Sequence, residues 1–141
     1  MHALSIEDKN RLTQTSSRFK IIAPLEEIKS ECEGNEILTE LFENMIDFAL
    51  RYAESVCRWQ RMAVETPDEF DAIGTRQAIE DTRRTVHNAF IEHVNILSRT
   101  LVRQGRKAEW RGRVGHDRAA LGRFAIVIAF EYIKTTEGGN V

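Results

Sequence analysis

The sequence predicts an all-α protein, a helical bundle of three long helices plus one or two short N-terminal helices. Three observations carry that prediction. Apolar residues recur in steps of three and four along extended stretches, the period of one helix face rather than of a strand. Only two prolines and eight glycines occur in 141 residues, and they gather at a few places, leaving long segments unbroken. No alternating strand pattern, internal repeat or low-complexity tract is present. A chain of this length fits one domain, residues 1–141, and buries enough surface to fold without a disulfide or a metal. Its 42% hydrophobic and 30% charged residues are those of an ordinary globular protein, not of a disordered one.

Taken in order, Ser5 with Asp8 three residues on has the spacing of a capping pair, and a first helix is expected from there to about Arg18. Its apolar face is thin, so residues 1–18 are expected to be loosely attached. Pro24 then opens a short helix carrying Leu25, Ile28 and Cys32, closed by Gly34 and Asn35. The clearest helix is Glu36–Glu65, where Leu38, Phe42, Met45, Ala49, Tyr52, Val56, Trp59 and Ala63 fall on one stripe. Thr66 and Pro67 end it and start the next: Thr66 is placed to cap, Pro67 suits the first helical position, and Glu69 completes a capping box. A second long helix reaches about Gln104, with Ile79, Val86, Phe90, Val94, Leu97 and Leu101 facing inward. Gly74 interrupts its start and leaves a short turn over residues 68–73. Gly105, Gly112 and Gly115 punctuate a loop. The last helix, about residues 117–135, is apolar nearly all round, which predicts a central position packed on several sides. Residues 136–141 read as a flexible tail.

Charge is unevenly spread. Residues 26–47 carry eight acidic residues and one basic one, Lys29, a local net of −7. Residues 99–123 carry eight basic residues and two acidic ones, Glu109 and Asp117, a local net of +6. Part of this complements helix dipoles, since Glu36, Glu40, Glu43 and Asp47 lead their helix while Arg51, Arg58 and Arg61 follow. Arg99 and Arg103 do the same at the close of the next helix. The remainder fits a partner. Across a symmetric dimer each patch meets its opposite twice; alternatively the basic loop alone binds phosphate or RNA. No secretory signal is expected from the first residues, and the longest apolar run, residues 124–130, is far short of the roughly 18 residues of a membrane span. A cytoplasmic protein with no membrane association is expected.

No metal and no cofactor is expected either. A di-iron carboxylate bundle needs Glu-x-x-His on two helices, and no histidine here has an acidic residue three positions before it. His87 and His93 are six apart and stand on different faces of their helix. Glu40 and Glu43 have half the spacing of the magnesium site of all-α nucleotide pyrophosphohydrolases. The matching pair, Glu65 and Asp68, is split by Pro67. Cys32 and Cys57 have no local basic or histidine neighbours and read as small core residues. Neither a nucleophile elbow nor a phosphate loop occurs. Met45, Tyr52, Trp59 and Trp110 are spaced mostly as core.

One segment is left to carry chemistry, the basic, glycine-bearing loop 106–118. Arg111 and His116, with four residues between them, stand at the entrance to the last helix. A guanidinium holds phosphate bidentately and an imidazole titrates near neutral pH. Arg106, Arg113 and Arg118 add charge for anion binding. The spacing resembles the R-x4-H motif of HEPN-type ribonucleases, small all-α domains that are usually dimers. That resemblance implies Arg111 on the scissile phosphate and His116 in metal-independent acid–base cleavage of RNA. Gly112 and Gly115 depart from the residues that family carries around its motif. The plainer reading is a turn, with Trp110 plugging the end of the bundle and Asp117 capping the last helix. The function expected first is that of a non-enzymatic helical interaction protein, self-associating or binding another protein. The alternative is a HEPN-like ribonuclease, or an RNA- or anion-binding module.

Overall fold

The computed structural model describes residues 4–16 and 25–138. Among them lie α1 (Ile6–Ser16), α2 (Leu25–Cys32), α3 (Glu36–Glu65), α4 (Pro67–Phe70), α5 (Thr75–Arg103), α6 (Trp110–Arg113) and α7 (Arg118–Gly138), with no strand. The three long helices α3, α5 and α7 pack against one another, with α3 lying along both of the others. The protein is the all-α bundle its periodicity predicts. No helix among the described residues is long and apolar enough to cross a membrane.

The 30 residues of α3 start at Asn35, whose side-chain oxygen accepts the Leu38 backbone N–H at 3.0 Å. Leu38, Phe42, Met45, Ala49 and Tyr52 of its stripe are buried, Val56 and Trp59 are half-buried, and Ala63 in the last turns is exposed. Thr66 ends the helix but does not make the expected capping box. Its hydroxyl donates back to the Met62 carbonyl at 3.3 Å and caps nothing in α4. The break holds because Pro67 occupies the first turn of α4, where its missing N–H is no loss. Gly74, at φ 86°, then turns the chain through the left-handed region and α5 begins.

Centrality of α7 is realised. Leu121 and residues 124–129 are buried, and Phe124 packs against Phe90 and Trp110 with ring centroids 5.7 and 6.1 Å apart. The helix continues to Gly138, so residues 136–138 are helical where a tail is expected; residues 139–141 lie outside the described residues.

Within residues 1–18, α1 packs on the bundle. Leu12 is fully buried, a contact worth about 1.5–3 kcal/mol. Asp8, only 4% exposed, holds Arg11 at 3.0 Å and Arg61 of α3 at 2.7 Å. Ser5 Oγ does accept the Asp8 N–H, at 3.1 Å, as its spacing predicts. The Asp8 carboxylate, however, goes to guanidinium groups, which are the stronger partners. Residues 17–24, including the Pro24 start of α2, lie outside the described residues. Cys32 and Cys57 are buried, which pushes each thiol up to about 11; both are the unreactive core residues expected.

Candidate functional site

The loop between α5 and α7 is built on a residue of α2 that the sequence did not single out. Glu31 accepts the Trp110 indole N–H on Oε1 and the Ala108 backbone N–H on Oε2, both at 3.0 Å. Its backbone carbonyl accepts Arg106 Nη1 at 2.9 Å. Trp110 is fully buried and plugs the bundle as expected. Asp117 Oδ1 accepts the Ala120 N–H at 2.7 Å, so the anion at the start of α7 is the chain's own.

Three of the loop cations are engaged within the chain. Arg106 serves Glu31, and Arg113 pairs with Glu27 at 2.5 Å in an exposed bridge. The acidic and basic patches thus meet in part within one chain. Arg111 turns its guanidinium to Asn95 Oδ1, from Nε at 3.2 Å and Nη2 at 3.0 Å, and to the Gly115 carbonyl at 2.6 Å. Burial pulls its pKa down, and the side chain acts as a strut between the loop and α5. The ring of His116 is exposed, with no hydrogen-bond partner among the described residues. The two members of the R-x4-H spacing thus have different surroundings.

Arg118 leads elsewhere. It lines a cavity of about 450 Å³ between α1, α3, α5 and α7, within the roughly 300–1,000 Å³ of small-molecule sites. Each helix contributes one face. Tyr52 and Val56 come from α3, one turn apart; Glu80, Arg83, Arg84 and His87 share a face of α5. Arg118, Ala119, Gly122, Arg123 and Ile126 line α7, and Thr15 completes the wall from α1. Four arginines converge there against one carboxylate. Glu80 holds Arg83 Nη2 at 2.6 and 2.7 Å, and that guanidinium lies over the Trp59 ring. Arg84 is exposed, 3.9 Å from Asp81. Arg123 is exposed and has no ion pair among the described residues.

The floor of the cavity is polar, and the Arg118 and Arg83 guanidinium groups reach its two rings. Arg118 donates to Asn88 Oδ1 and, at 3.3 Å, to His87 Nδ1. Guanidinium nitrogens only donate, so Nδ1 accepts, and the proton of the neutral ring sits on Nε2. His87 is 9% exposed and that Nε2 has no partner. Burial first, and then the charges of Arg118 and Arg83, lower the pKa of His87 against a backbone hydrogen bond to Arg118 that raises it. The Tyr52 ring lies 4.8 Å away; burial pushes its phenol up, against the opposing pull of Arg83, so it stays an O–H donor. Gly122 runs beneath both: a Cβ there would stand 3.1 Å from Tyr52 Oη and 3.5 Å from His87 Nε2. The glycine lets α7 approach both rings closely.

Of the residues the sequence singles out for chemistry, only Arg118 reaches this cavity. His87 enters the sequence argument only as a metal ligand with the wrong spacing, and Tyr52 only as core. The available signal was the shared face of Arg83, Arg84 and His87. Among the described residues, no group of three or more His, Cys, Asp or Glu is placed to hold a metal ion. No family model, curated protein or solved structure matches the chain. What defines it is a helical bundle with an arginine-lined cavity.

Proposed function

We propose that this protein binds a small organic anion in the cavity between α1, α3, α5 and α7, without turning it over. The observation that carries the reading is the convergence of four arginines on a cavity floored by the unpartnered donor of His87. Binding rather than catalysis follows from the protonation state. With Nδ1 engaged by Arg118 and the proton on Nε2, the ring offers the cavity neither a base nor a strong acid. Glu80, the carboxylate of the lining, is occupied by Arg83. Thermal-shift and calorimetric titration with pyrophosphate, citrate and nucleotides at low salt test the proposal. A ligand at a hundred times its Kd adds about 2.7 kcal/mol of stability. The expected result is stabilisation that weakens with salt and is lost in Arg118→Ala and Arg84→Ala. No shift from any member, or undiminished binding in both variants, overturns it. So does RNA cleavage in EDTA that depends on His116, the signature of the ribonuclease alternative.

Self-association is the second reading, favoured by a separate surface. The side chains of Asn35 and Gln104 bond, which sets the start of α3 beside the end of α5. Exposed Ile37 lies in the first turn of α3, which also carries Glu36 and Glu40, and exposed Val102 stands among Arg99 and Arg103. A two-fold axis through this end would set each charge group on its opposite twice. Sedimentation equilibrium is the check: a salt-sensitive dimer supports the reading, and a monomer at micromolar concentration in low salt removes it.

A further inference from the structure

We infer that the ligand is a compact trianion, a molecule carrying three negative charges on carboxylate or phosphate groups and held between α5 and α7. The inference rests on the anion-binding reading and adds the charge of the ligand. Its basis is the charge balance of the cavity wall. Elsewhere the fold sets arginines beside carboxylates: Arg61 with Asp8, Arg51 with Asp47 and Arg113 with Glu27. Four arginines line the cavity, and the one carboxylate of the lining, Glu80, neutralises only Arg83. Three guanidinium groups are left over. Arg118 donates to Asn88 and His87, acceptors that carry no charge. Arg123 has no ion pair among the described residues. Arg84 lies 3.9 Å from Asp81 with both side chains 58% exposed, a pairing that contributes little.

Like charges gathered round one hollow repel one another, and an anion of matching charge relieves the repulsion. A monoanion leaves two of the three guanidinium groups uncompensated. A fourth negative charge finds no free cation in the lining, and Glu80 stands there to repel it. The three groups come from two helices, Arg84 from α5 and Arg118 and Arg123 from α7, so the charge of the ligand is spread over more than one acidic group. A guanidinium matches the paired oxygens of carboxylate and phosphate alike. At about 450 Å³ the cavity is on the scale of a small metabolite rather than a lone ion.

The test titrates the intact protein at low salt with carboxylates of rising charge: butyrate, glutarate, propane-1,2,3-tricarboxylate and butane-1,2,3,4-tetracarboxylate. Calorimetry is run at about pH 8, where every carboxylate is ionised. An exposed ion pair corresponds to at most about fivefold in affinity. Affinity is expected to rise by up to about fivefold with each added charge as far as the tricarboxylate, and then to level off. Two variants should move the levelling point in opposite directions. Arg123→Gln removes a free cation and brings it down to glutarate; Glu80→Gln releases Arg83 and carries it up to the tetracarboxylate. Arg58→Gln, at an exposed arginine of α3 outside the cavity, is the control and should leave it unmoved. Circular dichroism confirms that each variant is folded, and the wild-type series stands without them. Pyrophosphate is the phosphate arm, and tighter binding than the tricarboxylate assigns the charges to phosphate. Butyrate binding as tightly as the tricarboxylate, or a rise that continues undiminished to the tetracarboxylate, overturns this inference and leaves the anion-binding reading intact. So does a levelling point that stays at the tricarboxylate in either cavity variant. If no member of the series binds, nor pyrophosphate, both fall.

Discussion

Replacing Glu31 by alanine strands two donors at once. The Trp110 indole N–H belongs to a fully buried side chain and the Ala108 N–H to a residue only 6% exposed, and both end on the Glu31 carboxylate. A buried donor left without an acceptor costs about 1–3 kcal/mol. Two of them give roughly 2–6 kcal/mol, and water entering beside the half-buried site trims this to about 2–4 kcal/mol. For a chain of this size about 1 kcal/mol moves the melting temperature by roughly 3 °C, so a fall of about 6–12 °C is expected. Glu27→Ala is the internal control. It removes an exposed pair from the same helix, Glu27 with Arg113, and should cost no more than about 1 kcal/mol. Urea denaturation read by tryptophan emission is the assay. A Trp59→Phe background leaves Trp110 as the only tryptophan, since the sequence has two. Its emission should also shift to the red at low urea in the Glu31 variant as the plug loosens. Equal destabilisation by the two alanine variants would refute the argument that this carboxylate organises the loop.

Two further predictions concern protonation and backbone shape. The folded pKa of His87 lies below the ordinary imidazole value of 6.5, so the unfolded chain takes up the proton first as the pH falls. Stability is therefore complete above that value and declines as the pH drops from about 6.5 through the folded pKa. In His87→Phe the slope of unfolding free energy against pH should flatten in that window; an unchanged slope would show that the burial of His87 carries no linkage. Gly115→Ala meets two obstacles, a φ of 91° and a Cβ that would stand 2.7 Å from Ala120 Cβ, whereas Gly34→Ala meets only a φ of 78° in open space. The left-handed conformation alone costs about 1–2 kcal/mol, so chemical denaturation should show Gly115→Ala to be clearly the worse of the two. Equal costs would mean that the turn before α7 gives way freely.

The bundle was legible because its evidence is local. The stripe from Leu38 to Trp59 lies in one continuous helix, and Pro67 and Gly74 act on the backbone beside them whatever the rest of the chain does. The loop was half legible. Trp110 and Asp117 occupy the positions read for them, since a large aromatic and a helix-capping carboxylate have few other uses there. Arg111 was placed on an external phosphate because its partners, Asn95 and the Gly115 carbonyl, are set by packing of α5 against the loop and leave no trace in spacing. The cavity lay further out of reach. Its residues come from four helices, so Tyr52 reads as core and Arg83 as a solvated charge until the crossing of α3, α5 and α7 brings them together. Glu31 shows the same limit: on a short acidic helix, nothing distinguishes the one carboxylate that turns toward an indole.

Gly122 sits in the second turn of α7, the helix most enclosed by the others. Glycine there weakens the helix by roughly 0.5–1 kcal/mol relative to alanine, because the unfolded backbone has more freedom to lose. Its neighbours Ala119, Ala120 and Ala125 show that a strong helix former is accepted along this stretch. The bundle is thus least optimised for standing up at the one place where a methyl group would close in on Tyr52 and His87. Alanine at position 122 would set that gain in helix propensity against a contact of 3.1 Å with Tyr52 Oη, and would leave a shallower cavity.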